Sequence, residues 1–285
     1  MLQKIQAEQS RNQLRTTFLM LALFALLFCV GTLLMGWSGL LLAAMIGAFS
    51  MLLAYRVPTK VIMRRIYRAQ AVNAYQLVDL QHLTQQFSRK IGLKKVPQLY
   101  YIPSNQLNAF AIGTKEDPAI ALTYGLLRSM PFKEISGVIA HELSHIANND
   151  LSLQRMALVM NRLTKSFSLL GQLLLIINFS TFLTGNLQIS WVAILLLIFA
   201  PYLSNLIQMA ISRTREFDAD LAAVKTTGDP NGLADALTRL KLMDRRRMNP
   251  LQKRLPVWLN THPQLEERIE RLRALAPRFQ LQWPV

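Results

Sequence analysis

Two histidines and a glutamate carry the strongest chemical signal in this 285-residue chain: His141-Glu142-Leu143-Ser144-His145. On an α-helix, positions i and i+4 are displaced by only ~40° around the axis, so both imidazoles leave one face, one turn apart. Two ring nitrogens so placed can reach a single Zn²⁺ ion. Glu142 stands next to the first ring and can take a proton from a water on the open side of the metal. Zinc lowers the pKa of such a water toward ~7, which makes hydroxide available at neutral pH. The chain has only four histidines, and two of them are here.

A catalytic zinc needs a third protein ligand and an open fourth position. Glu216-Phe217-Asp218-Ala219-Asp220 offers one. Glu216 and Asp220 are again i and i+4. Glu216 suits the metal, and Asp220 suits the remaining ring N–H of a ligand histidine, whose tautomer it would fix. Asp218 points elsewhere. His262 is the other candidate. Thr261 and Gln264 fit a capping box and Pro263 a first helical turn, which makes His262 part of a helix start. Alternatively His262 enters the zinc cleft, as a donor to an oxyanion or as a latent fourth ligand. Arg268 is expected to pair with a local acid. His82 has no acidic or histidine neighbour at ligand spacing and reads as a surface residue.

The elements that must position these groups follow from patterning. Residues 96–102, 107–112 and 119–123 are short apolar runs around turn-rich Gly113-Thr114-Lys115-Glu116-Asp117-Pro118, and they predict a small sheet. Residues 69–91 carry Leu77, Leu80, Leu83 and Phe87 at helical spacing, with Gly92 as the stop signal. The helix bearing the two histidines should start near residues 129–131. Its Ile135, Val138 and Ile139 form a buried face, and small Gly137, Ala140 and Ala147 permit close packing.

Charge placement decides the rest. Lys plus Arg number 32 against 16 acids, a net charge of +16, yet residues 16–55 and 166–212 contain no charged residue and no histidine. Hydrophobic residues are 52 % of the chain, too many for an ordinary soluble enzyme. The single cysteine, Cys29, excludes a disulfide framework and a cysteine-based metal site. The first uncharged block divides at Gly36-Trp37-Ser38-Gly39 and the second at Thr184-Gly185-Asn186, which yields about four transmembrane helices in two hairpins. Pro201 should kink the last of them. Lys4, Arg11, Arg15, Arg56, Lys60, Arg64, Arg65, Arg68, Arg155, Arg162, Lys165, Arg213 and Arg215 flank these blocks on the sides away from the two turns. The positive-inside rule then puts both termini and every polar region on the cytoplasmic side. Membrane lipids account for much of the positive charge. No nucleic-acid motif supports DNA or RNA as a partner. Arg245-Arg246-Arg247 read as a solvated run in a loop-rich stretch.

The chain therefore divides into a basic N-terminal arm (1–15), transmembrane hairpin 1 (16–55), a first catalytic part (56–165), transmembrane hairpin 2 (166–212) and a second catalytic part (213–285). The expected fold class is α+β and mostly helical. Glu216 begins four residues after the second uncharged block, which predicts a metal close to the membrane face.

His141-Glu142-Leu143-Ser144-His145-Ile146-Ala147-Asn148-Asn149-Asp150, Glu216-Phe217-Asp218-Ala219-Asp220, Asn108-Ala109-Phe110-Ala111 with Gly113, and Thr261-His262-Pro263 with Glu267-Arg268 resemble one family. It is the HtpX-like membrane zinc metalloproteases, related to the prenyl-protein (CAAX) zinc protease. The likeness covers most of residues 60–275. It implies a gluzincin-like catalytic domain, one Zn²⁺ per chain held by His141, His145 and Glu216, and Glu142 as the general base. It also implies that Asn108, Ala109, Phe110 and Ala111 pair with an extended polypeptide substrate. A bacterial inner-membrane location, membrane or misfolded proteins as substrates and a role in stress response are implied in the same way. The sequence departs from the family at Asn149, where glycine is more usual, and in a longer N-terminal arm.

Two other classes fit parts of the pattern. A membrane chaperone-like or binding protein with a structural zinc requires a closed four-ligand site that includes His262. A transporter requires ionisable groups along its path, and neither uncharged block has one. A prenyl-CAAX protease has more spans than this chain offers.

Overall fold

The α5 helix, Phe132–Ala147, carries both histidines, and much of its local sequence is dedicated to holding it in place. Pro131 immediately precedes it and Glu134 lies in its first turn. That carboxylate receives two 2.8 Å hydrogen bonds from Arg239, which pins the helix start. The computed structural model describes residues 2–56, 58–73, 76–177, 179, 183–184, 191–247 and 265–280. The elements are α1 (Leu2–Arg56), α2 (Thr59–Arg65), β1 (Gln70–Ala71), α3 (Val78–Lys90), β2 (Gln98–Ile102), β3 (Ala109–Gly113), β4 (Pro118–Thr123), α4 (Tyr124–Ser129), α5, α6 (Asp150–Ile177), α7 (Trp191–Thr227), α8 (Pro230–Arg247) and α9 (Leu265–Gln280). They form two compact units.

The first unit comprises residues 1–5, 57–152 and 215–285. Its sheet has the order β1-β2-β4-β3. β1 and β2 are antiparallel, β2 and β4 parallel, and β3 and β4 antiparallel, with Phe110 opposite Ala121 and Ala111 opposite Ile120. Ile120 and Leu122 of β4, Ile139, Leu143 and Ile146 of α5, Val224 of α7, Leu233 of α8 and Leu272 of α9 share one buried core. Gly137 lets α5 approach α8 closely: a Cβ there would lie 2.8 Å from the Leu233 nitrogen. A larger residue at 137 would push these two helices apart.

The helix expected over residues 69–91 is shorter than its apolar pattern. Gln70 and Ala71 pair instead with Tyr101 and Tyr100, and α3 starts at Val78 after Leu77, whose φ is 50°. Open ladder groups on β2 outweigh a weak helical preference at this end. Gly92, at φ 73°, closes α3 as its position suggested. Arg245, Arg246 and Arg247 belong to the last turn of α8 rather than to a loop.

The second unit comprises residues 6–56 and 153–214. Its α1 is broken at Gly36, whose φ of 58° and ψ of −143° leave the helical region. Residues eight apart in a straight helix are ~12 Å apart. Here a Cβ on Gly39 would collide with the Gly31 carbonyl, and Phe28 meets Trp37 edge-on at 6.4 Å. The chain therefore doubles back at Gly36, as its turn-prone sequence predicts. Residues 2–15 are helical and continuous with the apolar stretch, so the basic arm is the first part of α1. Pro201 lies inside α7. Having no N–H, it leaves the Leu197 carbonyl without its helical donor. Ser168 Oγ and Gln172 Nε2 of α6 donate to that carbonyl, the latter at 2.9 Å. Two helices, Ala7–Phe49 and Val192–Thr227, are long and apolar enough to cross a membrane by length and composition among the described residues.

One backbone feature governs the site. Asn149 has φ 61° and separates α5 from α6. Asparagine is among the few residues with a side chain that tolerate this left-handed conformation, which is natural for the glycine found more often in the resembling family. Asn149→Val is expected to cost about 1–2 kcal/mol, while Asn149→Gly stays near wild type. Thermal unfolding of the three proteins in the same detergent checks the order.

Candidate metal centre

His141 and His145 project from the buried face of α5 with ring centroids 4.7 Å apart, nearly perpendicular. Their Nε2 atoms are 3.2 Å apart. Each Nδ1 faces a carboxylate: His141 Nδ1 lies 3.0 Å from Asp220 Oδ1, and His145 Nδ1 lies 2.9 Å from Asp150 Oδ2. A carboxylate only accepts, so His145 Nδ1, hydrogen-bonded to Asp150, carries a proton and its Nε2 directs its lone pair inward. His141 Nδ1 meets Asp220 at ion-pair distance without hydrogen-bond geometry. Glu216 completes the group, with Oε2 3.4 Å from His141 Nε2 and Oε1 3.7 Å from His145 Nε2. One ligand atom from each of the three residues lies within 4.8 Å of the others.

Two imidazole lone pairs and a carboxylate directed at one point repel unless a cation lies among them. The His141 pKa expresses the same demand. Burial opposes its protonation, but Asp220 and Glu216 outweigh burial and push the value up to about 10. Two nitrogens and one carboxylate oxygen are a donor set that zinc accepts, with each ring braced through its other nitrogen. The residues present fit the ion that the motif implies.

Glu142 is buried beside this group and lies on the side of the sheet. Its Oε2 accepts a 2.8 Å hydrogen bond from the Ala111 N–H. Burial raises its pKa above the ordinary carboxylate value, against the pull of His141 and His145. β3 is an edge strand of the sheet. The Thr123 N–H donates to the Asn108 carbonyl at 3.1 Å, and the Asn108 N–H donates to Thr123 Oγ1 at 3.0 Å. The alternation of an antiparallel ladder then turns Phe110 toward β4 and places the polar backbone groups of Ala109 and Ala111 on the open side. The Phe110 ring packs against Tyr67 at 4.7 Å. So the four residues expected to pair with substrate divide: Ala109 and Ala111 face outward, whereas the Asn108 and Phe110 backbones serve the sheet.

Three residues have partners that the sequence did not indicate. Arg268 does not pair with a nearby acid. Its Nε and Nη2 reach Asp220 at 2.7 and 2.6 Å, and its Nη1 reaches Glu216 Oε2 at 2.7 Å. Asp150 braces His145, and Arg215 in turn pairs with Asp150. The only sequence signal for Asp150 was its place in the motif string, since position i+5 on an unbroken helix falls ~140° away from His145. The left-handed turn at Asn149 removes that obstacle. His82 is exposed, as expected. His262 lies outside the described residues.

Residues 74–276 match the model of peptidase family M48. A protease HtpX homologue of Acaryochloris marina is 37 % identical over 94 % of this chain and 96 % of its own length. Its counterpart in Desulfatibacillum aliphaticivorans is 34 % identical over 94 % of this chain and 91 % of its own. The crystal structure of S. mikatae Ste24p shares the fold, with a TM-score of 0.55 at 19 % identity, covering 94 % of this chain and 66 % of that one. Family model, relatives and fold agree with the resemblance seen in the motifs, and the chain belongs to peptidase family M48 as an HtpX-like membrane protease.

Proposed function

We propose that this protein is a membrane-bound, zinc-dependent endopeptidase that hydrolyses peptide bonds of membrane or misfolded proteins on the cytoplasmic side of a bacterial inner membrane. The observation that carries this reading is the convergence of His141 Nε2, His145 Nε2 and a Glu216 carboxylate oxygen, with Glu142 beside them. These three residues hold the ion and Glu142 does not. The chain crosses the membrane four times, through residues 16–35, 40–55, 166–183 and 189–211. The doubling back at Gly36 supports the first pair, and the Lys and Arg flanks support the orientation.

Bound at this donor set, zinc supplies Lewis acidity that polarises the scissile carbonyl and acidifies a water. The chain's own residues do the rest. The open edge of β3 offers the backbone groups of Ala109 and the Ala111 carbonyl to an extended substrate, which adds as a further strand. Glu142 takes a proton from the attacking water. Its Oε2 is held by the Ala111 N–H, so Oε1 is the oxygen that receives the proton and later returns it to the leaving amine. One strand thus positions both substrate and base. Asp220 and Asp150 keep both imidazoles in the tautomer that presents Nε2.

The full chain, purified in detergent and given a membrane-protein substrate, should lose cleavage when a chelator strips its zinc and regain it when one equivalent of Zn²⁺ is returned. Undiminished cleavage by protein shown to be zinc-free would overturn the proposal.

A further inference from the structure

Each ligand histidine is braced by an aspartate, and each aspartate is in turn gripped by a buried arginine. The chain His141–Asp220–Arg268 draws on the acidic motif. The chain His145–Asp150–Arg215 does not. Asp150 is fully buried, and Arg215 and Asp218 are 4 % and 2 % exposed. Arg215 Nε donates to Asp150 Oδ1 at 2.5 Å, and Nη2 meets the same oxygen. Its Nη1 donates to Asp218 Oδ2 at 2.9 Å. Asp150 Oδ1 is therefore committed to the guanidinium, and Oδ2 is left for His145 Nδ1 at 2.9 Å.

We infer that Asp150 and Arg215 are positioning residues for the metal centre, forming a second bracing arm that orients the His145 ring. The inference rests on the metalloprotease reading above. The guanidinium fixes the rotation of the Asp150 carboxylate, and that carboxylate fixes the ring. Arg215 is bonded in sequence to Glu216, so one short stretch of α7 sets the third donor and braces the second histidine. The cost of burying the arginine is offset by two carboxylates, Asp150 and Asp218. Asp218 makes the same kind of buried bond to Arg215, at 2.9 Å, on the guanidinium nitrogen that does not reach Asp150. Asp150 is the carboxylate that places an oxygen 2.9 Å from His145 Nδ1, so substituting each aspartate in turn separates a bracing role from the mere burial of a charge beside Arg215.

Zinc affinity of the full chain in detergent, measured by competition with a chromophoric chelator, tests this, together with the visible absorption of the Co²⁺-substituted protein and circular dichroism for folding. Asp150→Asn and Arg215→Met are each expected to weaken zinc binding ~10–100-fold and to shift the Co²⁺ bands. Arg215→Lys, which keeps the charge, should recover part of that loss. Asp218→Asn should fall short of even a ~10-fold loss and leave the bands in place. Wild-type affinity in both Asp150→Asn and Arg215→Met overturns the inference, and so does an equal loss in Asp218→Asn. A wild type that binds no zinc overturns the metalloprotease reading itself.

Discussion

Glu142→Gln is expected to bind zinc as the wild type does and to cleave peptide bonds ~10²–10⁴-fold more slowly, the span of a lost general base. The substitution is nearly isosteric. The amide oxygen of Gln can still accept the Ala111 N–H that now reaches Glu142 Oε2 at 2.8 Å. Glu142 is not among the three converging donors, so the metal should remain. Burial already disfavours the charged carboxylate, and a neutral amide therefore adds no folding penalty. The measurement pairs turnover of a membrane-protein substrate with zinc content per chain on the same preparation. Equal cleavage by the two proteins removes Glu142 from the mechanism. Loss of both zinc and cleavage makes it a structural residue instead.

The second large effect is on metal content. Glu216→Ala should reduce zinc from one per chain to well below that, with an affinity loss beyond the ~100-fold upper end for bracing contacts. The two Nε2 atoms would remain 3.2 Å apart, but the carboxylate that completes their set would be gone. Arg268 would keep its two bonds to Asp220 and lose the one to Glu216, so the bracing of His141 is preserved. A fall in zinc can then be assigned to the missing donor. Full zinc retention in Glu216→Ala would mean that the third ligand lies elsewhere in the chain, with His262 the first to examine.

The pairing of the two histidines was legible because helical geometry fixes it locally. Once α5 forms, i and i+4 share a face whatever the rest of the chain does. The same holds for Glu216 with Asp220 on α7. The doubling back at Gly36 was legible for a similar reason, since only glycine adopts that backbone readily. Asp150 was not legible. Its approach to His145 needs the left-handed turn at Asn149, and a rule of helical spacing places the two apart. Arg268 was misread because its partners are 48 and 52 positions away in sequence, and spacing says nothing about such contacts. Residues 70–71 were misread as helix because open strand groups on β2 decided their conformation, and those exist only after the sheet has formed.

By itself the sequence determined the chemical inventory: two rings and a base on one helical face, an acid pair on another, and long uncharged stretches suited to lipid. Tertiary structure alone decided what each ring faces, because Asp220 and Asp150 come from other elements to meet the two Nδ1 atoms. It also decided that the edge of β3 would brace Glu142 through the Ala111 amide. Local spacing sets which side chains leave the same face. Only packing brings separate elements within the ~3 Å at which hydrogen bonds fix tautomer and rotation.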